Sequence, residues 1–168
     1  ERIVISEHWR DVLVDKYGER YKRVQVHPNG IDTSTFSFDS EARRAARDRL
    51  GVADDIRLVG FVGRIQHQKN PGVFFELARQ MAHIPGTQFV VVGDGPERQS
   101  LLDTYDDLEN LQYLGPTNDV ASTMAAFDVV VFTSTFEGYP LTSLEAAAMG
   151  VPIIAPNIVG FREQIELG

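Results

Sequence analysis

Five short apolar runs constrain this chain more than any other feature: Arg57 to Val62, Gln88 to Val92, Leu111 to Leu114, Val129 to Phe132 and Val151 to Ala155. The first four are each followed by a loop and a helix-forming segment, which are Pro71 to Met81, Glu97 to Tyr105, Ala121 to Phe127 and Leu141 to Met149. A run that is apolar throughout is a strand buried on both faces, and strands alternating with helices imply right-handed crossovers in a parallel, doubly wound sheet. The expected fold class is therefore α/β. Ahead of this array, Ile3 to Ser6 and Val24 to His27 read as strands around a helix from His8 to Tyr17, with Ser6 as its N-cap and Gly18 just past its end. An ordinary hairpin-like lead-in fits the same spacing. The stretch Ser40 to Leu50, SEARRAARDRL, alternates arginines with acids and reads as a solvated helix stopped by Gly51.

The unit at 129–150, VVVFTSTFEGYPLTSLEAAAMG, carries the most chemistry. Its strand leads through Thr133, Ser134 and Thr135 into the turn Glu137-Gly138-Tyr139-Pro140, and its helix closes at Gly150. Pro140 sets φ just before the helix. The N–H groups near Leu141 and Thr142 then sit at the mouth of a strand–helix crevice, where an anion is favoured. Glu137 lies in the loop and Glu145 one turn inside the helix, although the helix dipole would also favour Glu145 as a plain solvated residue. Upstream, the run Arg57 to Val62 delivers Arg64 and Lys69 into a loop at a strand's carboxyl end, where open α/β sheets bind ligands. Arginine can fork onto phosphate oxygens and lysine supplies a mobile point charge, but two cations in a surface loop also fit simple solvation. Gly93-Asp94-Gly95-Pro96 is not a dinucleotide fingerprint, because Arg98 stands where the third glycine is needed. A structural tight turn fits it better.

The string F-E-G-Y-P-L-x-x-L-E-A-x-A-x-G, with Glu137 and Glu145 separated by seven residues, closely resembles the E-x7-E motif of retaining glycosyltransferases of GT-B architecture, in particular family 4. The likeness spans essentially the whole chain and is densest from Val59 to Pro152. It implies a Rossmann-like, doubly wound parallel sheet, the C-terminal half of a GT-B enzyme. Residues 1–30 would trail from a missing N-terminal acceptor domain, and residues 31–168 would form the donor-binding domain, truncated at its C-terminus. Arg64 and Lys69 match the G-R-x-x-x-x-K segment that holds the donor diphosphate, with Asn70 where a glycine often follows. By the same resemblance Glu137 meets the transferred sugar and Glu145 the ribose, while Gly138, Tyr139, Leu141 and Thr142 complete the substrate loop. Thr117 and Asp119 frame the nucleobase, although Asp119 fits a helix N-cap equally well. The catalytic set is then Arg64, Lys69 and Glu137. Val159 to Glu163 matches the family's V-G-G-x-x-E turn poorly, with Val159 at its first glycine.

The implied reaction moves a sugar from a nucleoside-diphosphate sugar (UDP- or GDP-linked) to an acceptor hydroxyl in glycan or lipid-linked glycan biosynthesis, with retention and with no cofactor or metal. The acceptor would be held through the missing domain. The resemblance also implies a cytoplasmic protein, whose intact form could lie peripherally at the membrane's cytoplasmic face. An inactive nucleotide-sugar binding module and a sugar-nucleotide epimerase share this architecture and stay open. A carboxylate acid/base pair is less consistent, because the loop cations call for a diphosphate leaving group.

Composition narrows the field further. A net charge of −8 and a pI near 4.9 argue against a nucleic-acid surface. With no cysteine there is no disulfide framework, zinc ribbon or thiol nucleophile. His8, His27, His67 and His83 lack metal-ligand spacing, and no apolar run approaches the roughly 20 residues that span a bilayer. The architectural prediction is concrete. The five apolar runs are parallel neighbours whose C-terminal loops open on one edge, and an antiparallel pair among them in coordinates would overturn the reading.

Overall fold

The computed structural model describes residues 2–167. A small leading unit comes first, built from β1 (Ile3–Val4), α1 (Glu7–Tyr17), a 3-10 turn (Glu19–Arg23) and β2 (Gln25–Val26). Ser6 caps α1 by accepting from the Trp9 N–H at 3.2 Å. β1 and β2 pair in parallel, so this is a β-α-β crossover and not a hairpin.

The main body alternates α2 (Ser40–Leu50), β3 (Arg57–Val62), α3 (Pro71–Gln80), β4 (Thr87–Val92), α4 (Arg98–Thr104), β5 (Leu111–Gly115), α5 (Val120–Met124), β6 (Val129–Val131), α6 (Leu141–Ala148), β7 (Ile153–Ile154) and α7 (Val159–Leu167). All five strands of its sheet are parallel, in the order β5-β4-β3-β6-β7. The five runs read from sequence are these strands, with ends moved by a residue or two. β7 is shorter than the run Val151 to Ala155 that contains it.

The sheet is covered on both faces. Leu58, Val90, Val92 and Val130 pack with Ala46, Met124, Ala146 and Phe161 from α2, α5, α6 and α7. Val59, Phe61, Phe89 and Val91 pack on the other face against Phe74 and Phe75 of α3. Alternate residues of one strand thus serve opposite cores, which is why β3 and β4 read as unbroken apolar runs.

The helix α2 departs from expectation. Its polar sequence suggests a solvated helix, yet Arg47 is only 4 % exposed. Arg47 donates to the carbonyls of Ala53 and Ile56, each at 2.6 Å, and of Ala126 at 3.1 Å. Arg43 donates to the carbonyls of Ala125 (3.1 Å) and Phe127 (2.8 Å). Both arginines also bind Asp128, at 2.6 and 3.1 Å. The carbonyls left over where α5 ends carry partial negative charge, and the arginines satisfy them. Burial pushes the Asp128 carboxyl up, but the Leu58 N–H and the two guanidinium groups outweigh it and hold the group below the usual carboxylate range. Near the chain's end, Val159 to Glu163 is also not a turn. It opens α7.

Gly60, at the centre of β3, is required by space. A Cβ there would lie 2.3 Å from the Phe127 ring, which covers the strand. Gly60→Ala is therefore expected to destabilise the fold by about 1–3 kcal/mol in urea unfolding, the usual cost of overpacking. Phe127→Leu in the same chain should recover part of the loss. Equal stability of Gly60→Ala and the parent would show that the ring is free to move aside.

Candidate functional site

In the order β5-β4-β3-β6-β7 the direction of winding reverses between β3 and β6. Open α/β sheets bind ligands in the crevice outside the carboxyl ends of the strands at such a point. β3 ends into the loop that carries Arg64 and Lys69, and β6 into the loop that carries Glu137. The topology brings the two segments singled out in the sequence to one place.

They meet there directly. Lys69 Nζ lies 2.6 Å from Glu137 Oε1, with side chains 22 % and 7 % exposed. The Ser134 hydroxyl donates to the same oxygen at 2.6 Å. Glu137 Oε2 makes no hydrogen bond among the described residues. The backbones of the two loops are stitched as well. Thr133 Oγ1 donates to the Lys69 carbonyl at 2.7 Å, the Thr135 N–H to the Gln68 carbonyl at 2.9 Å, and Gln68 Nε2 to the Phe136 carbonyl at 3.0 Å. Asn70 takes φ 48° and ψ 51°, the left-handed conformation that a glycine would adopt and that asparagine tolerates. Pro71 then opens α3.

Arg64 is exposed and makes no ion pair among the described residues. Leu141 is exposed and Thr142 half-buried at the start of α6, where the first backbone N–H groups have no partner within the helix. Gly138 lies against Ile5 and Trp9 of the leading unit. Tyr139 is buried, and its carbonyl accepts from Asn29 Nδ2 at 2.8 Å. Glu145 is half-buried with no side-chain partner among the described residues, and burial pushes its carboxyl up from the ordinary value. Thr117 and Asp119 stand on the same edge of the sheet but after β5, the outermost strand on that side. Asp119 caps α5 through the Ser122 N–H at 3.0 Å, and hydrogen bonds from Ser122 hold its carboxyl low. The capping alternative is thus its observed role in this structure.

Two supporting residues have only a weak signal in the sequence. Ser134 reads only as part of a polar loop. Gly160 of α7 is another: a Cβ there would fall 2.7 Å from the Glu137 carbonyl oxygen, so only glycine lets α7 approach that loop.

Residues 56–168 match the family model described as Glycosyl transferases group 1. The chain belongs to this glycosyltransferase family. It is 36 % identical over 145 residues to UDP-Gal:alpha-D-GlcNAc-diphosphoundecaprenol alpha-1,3-galactosyltransferase of Escherichia coli, covering 82 % of this chain and 38 % of that protein. It is 34 % identical over 186 aligned positions to the D-inositol 3-phosphate glycosyltransferase of Mycolicibacterium vanbaalenii, covering 99 % of this chain and 40 % of the relative. The chain thus spans about two-fifths of the length of these relatives. Anabaena HepE, crystallised with UDP and glucose, superposes with a TM-score of 0.81 at 24 % identity, over 96 % of this chain and 45 % of that one. WaaG, a glycosyltransferase involved in lipopolysaccharide biosynthesis, gives a TM-score of 0.82 at 22 % identity, over 98 % and 46 %. These likenesses establish the GT-B fold family, and the chain fits the C-terminal part of such enzymes.

No helix of this glycosyltransferase segment, among the described residues, is long and apolar enough to cross a membrane. The raised Glu145 carboxyl has a thermodynamic consequence. A carboxyl with a raised folded-state pKa favours folding most below its unfolded value of about 4.3, and that advantage is lost as pH rises through the folded pKa. Glu145→Gln should therefore raise the thermal midpoint at pH 7 and leave it nearly unchanged at about pH 4. Thermal unfolding at the two pH values checks this. A lower midpoint at both would mean that the carboxylate makes a stabilising contact.

Proposed function

We propose that residues 31–168 form the donor-binding domain of a retaining glycosyltransferase, with residues 1–30 trailing from its acceptor domain. One observation carries the reading. At the switch point of the sheet, Lys69, Ser134 and Glu137 form a nearly buried cluster that occupies one Glu137 oxygen and leaves the other without a partner among the described residues. A carboxylate held in this way by a cation and a hydroxyl is set to accept hydrogen bonds from sugar hydroxyls. Arg64 and the remaining N–H groups of Lys69 face the diphosphate, and the first amides of α6 add their dipole. Glu145, half-buried and without a side-chain partner among the described residues, accepts from the ribose. Thr117 and Asp119 flank the base.

The donor is a UDP- or GDP-sugar. HepE was crystallised in complex with UDP-glucose, which makes a uridine nucleotide the first probe to use. The acceptor is a glycan or lipid-linked hydroxyl, in keeping with the diphosphoundecaprenol named for the E. coli relative. In the reaction the bond between the anomeric carbon and the phosphate oxygen breaks, and the acceptor oxygen bonds to that carbon from the same face. The acceptor's proton passes to the departing phosphate. Positive charge placed where the phosphate gains negative charge lowers the barrier. With the acceptor lobe outside the chain, this domain binds donor without efficient transfer.

Calorimetry with uridine, UDP and UDP-glucose tests the assignment. Arg64→Ala should weaken UDP by about 1.5–3 kcal/mol, a charge-assisted contact, and leave uridine unchanged. Lys69→Ala is a poorer test, because it strands a Glu137 carboxylate that is 7 % exposed. Glu137→Ala should weaken UDP-glucose but not UDP, which tightens as Lys69 loses its counter-charge. Equal losses for UDP and UDP-glucose would make Glu137 a scaffold of its loop and not a sugar contact.

A further inference from the structure

Two side-chain amides, distant in sequence, seize consecutive carbonyls of the loop that follows Glu137. Asn29 Nδ2 donates to the Tyr139 carbonyl at 2.8 Å across 110 residues of chain. Gln164 Nε2 donates to the Pro140 carbonyl at 2.7 Å across 24 residues. Ser143, which is buried, closes a ring with them: its hydroxyl oxygen lies 2.5 Å from Gln164 Oε1 and 2.9 Å from the Pro140 carbonyl. When the hydroxyl proton goes to Gln164 Oε1, the amide nitrogen is left to serve Pro140.

The geometry of the peptide unit gives this ring a consequence. The Pro140 carbonyl and the Leu141 N–H belong to one planar trans unit and point in opposite directions. A carbonyl fixed by Gln164 therefore fixes the direction of the first free N–H of α6. Pro140 sits at φ −66° and ψ 131°, and its ring restrains φ but not ψ. Rotation about ψ would swing both groups together, and a hydrogen bond weakens steeply once its angle falls below about 120°. Asn29 restrains the preceding peptide unit in the same way.

We propose that Gln164 and Asn29 are positioning residues of a diphosphate site: they hold the 139–141 backbone so that the Leu141 amide faces the crevice beside Arg64 and Lys69. Neither touches the ligand. This rests on the donor-domain reading above and adds to it the parts that pre-set the backbone anion contact. It also gives the leading unit a role, since Asn29 follows β2 and reaches the donor loop.

The test is calorimetry on the 168-residue chain with UDP and uridine, with GDP and guanosine run in parallel. Gln164→Met keeps the side chain's size and adds no charge near the phosphates. It should weaken the diphosphate about fivefold to tenfold, the scale of one hydrogen bond, and leave the nucleoside unchanged. Asn29→Ala should show the same selective loss, and it carries the test if Gln164→Met does not fold. Equal losses for nucleoside and diphosphate, or no loss of either, would overturn the clamp. Arg64→Ala measured alongside separates the two proposals. If it weakens UDP while both amide variants bind normally, the clamp is wrong and the phosphate site stands. If the unsubstituted chain binds no nucleoside diphosphate, the site and the clamp fall together.

Discussion

The structure depends on the seam between β3 and β6. Only two residue pairs register across it, Val59 with Val129 and Gly60 with Val130. Asp128 extends the seam, since its N–H donates to the Leu58 carbonyl at 2.9 Å and its carboxylate accepts from the Leu58 N–H at 2.7 Å. A side chain here continues a ladder that the short strand cannot. Both loops of the crevice leave from this seam, so its register sets where Lys69 and Glu137 meet. A slip of one residue would exchange the two faces of β6 and separate them.

Charge in the crevice follows from that placement. An enclosed carboxylate needs a cationic partner to offset its lost solvation, and the β3 loop supplies Lys69 to Glu137 across the seam. Glu145 has no such partner among the described residues, and burial pushes its carboxyl up. One helical stretch and its loop thus hold two acids in opposite electrostatic conditions. On a chain of net charge −8, local attraction for an anion has to come from convergence of a few cations and not from the overall field.

What could be read from the sequence was local. The buried strands announce themselves because each is apolar on both faces. Ser6 and Gly51 delimit their helices through contacts a few residues away. The two cation-bearing and acid-bearing loops could each be found, but their adjacency is a matter of strand order, which no single segment encodes. Asn29 and Gln164 were out of reach for the same reason, because the carbonyls they bind lie 110 and 24 residues away and are backbone atoms with no side-chain signature. α2 misled for another reason. An arginine that satisfies carbonyls and an arginine in water leave the same pattern in a helix.

The clamp that α2 closes has a bearing on how the chain is made. Arg43 and Arg47 bind groups 79 to 85 residues further along. At common synthesis rates those partners emerge roughly four to sixteen seconds later. For that time the helix has only its near neighbours, the Ala53 and Ile56 carbonyls, to bind, and an apolar helix would be a liability in the growing chain. The polarity that makes α2 look like a surface helix lets it wait in water as one. Its final place is taken late, when the segment between α5 and β6 arrives and offers the carbonyls that strip its arginines of solvent.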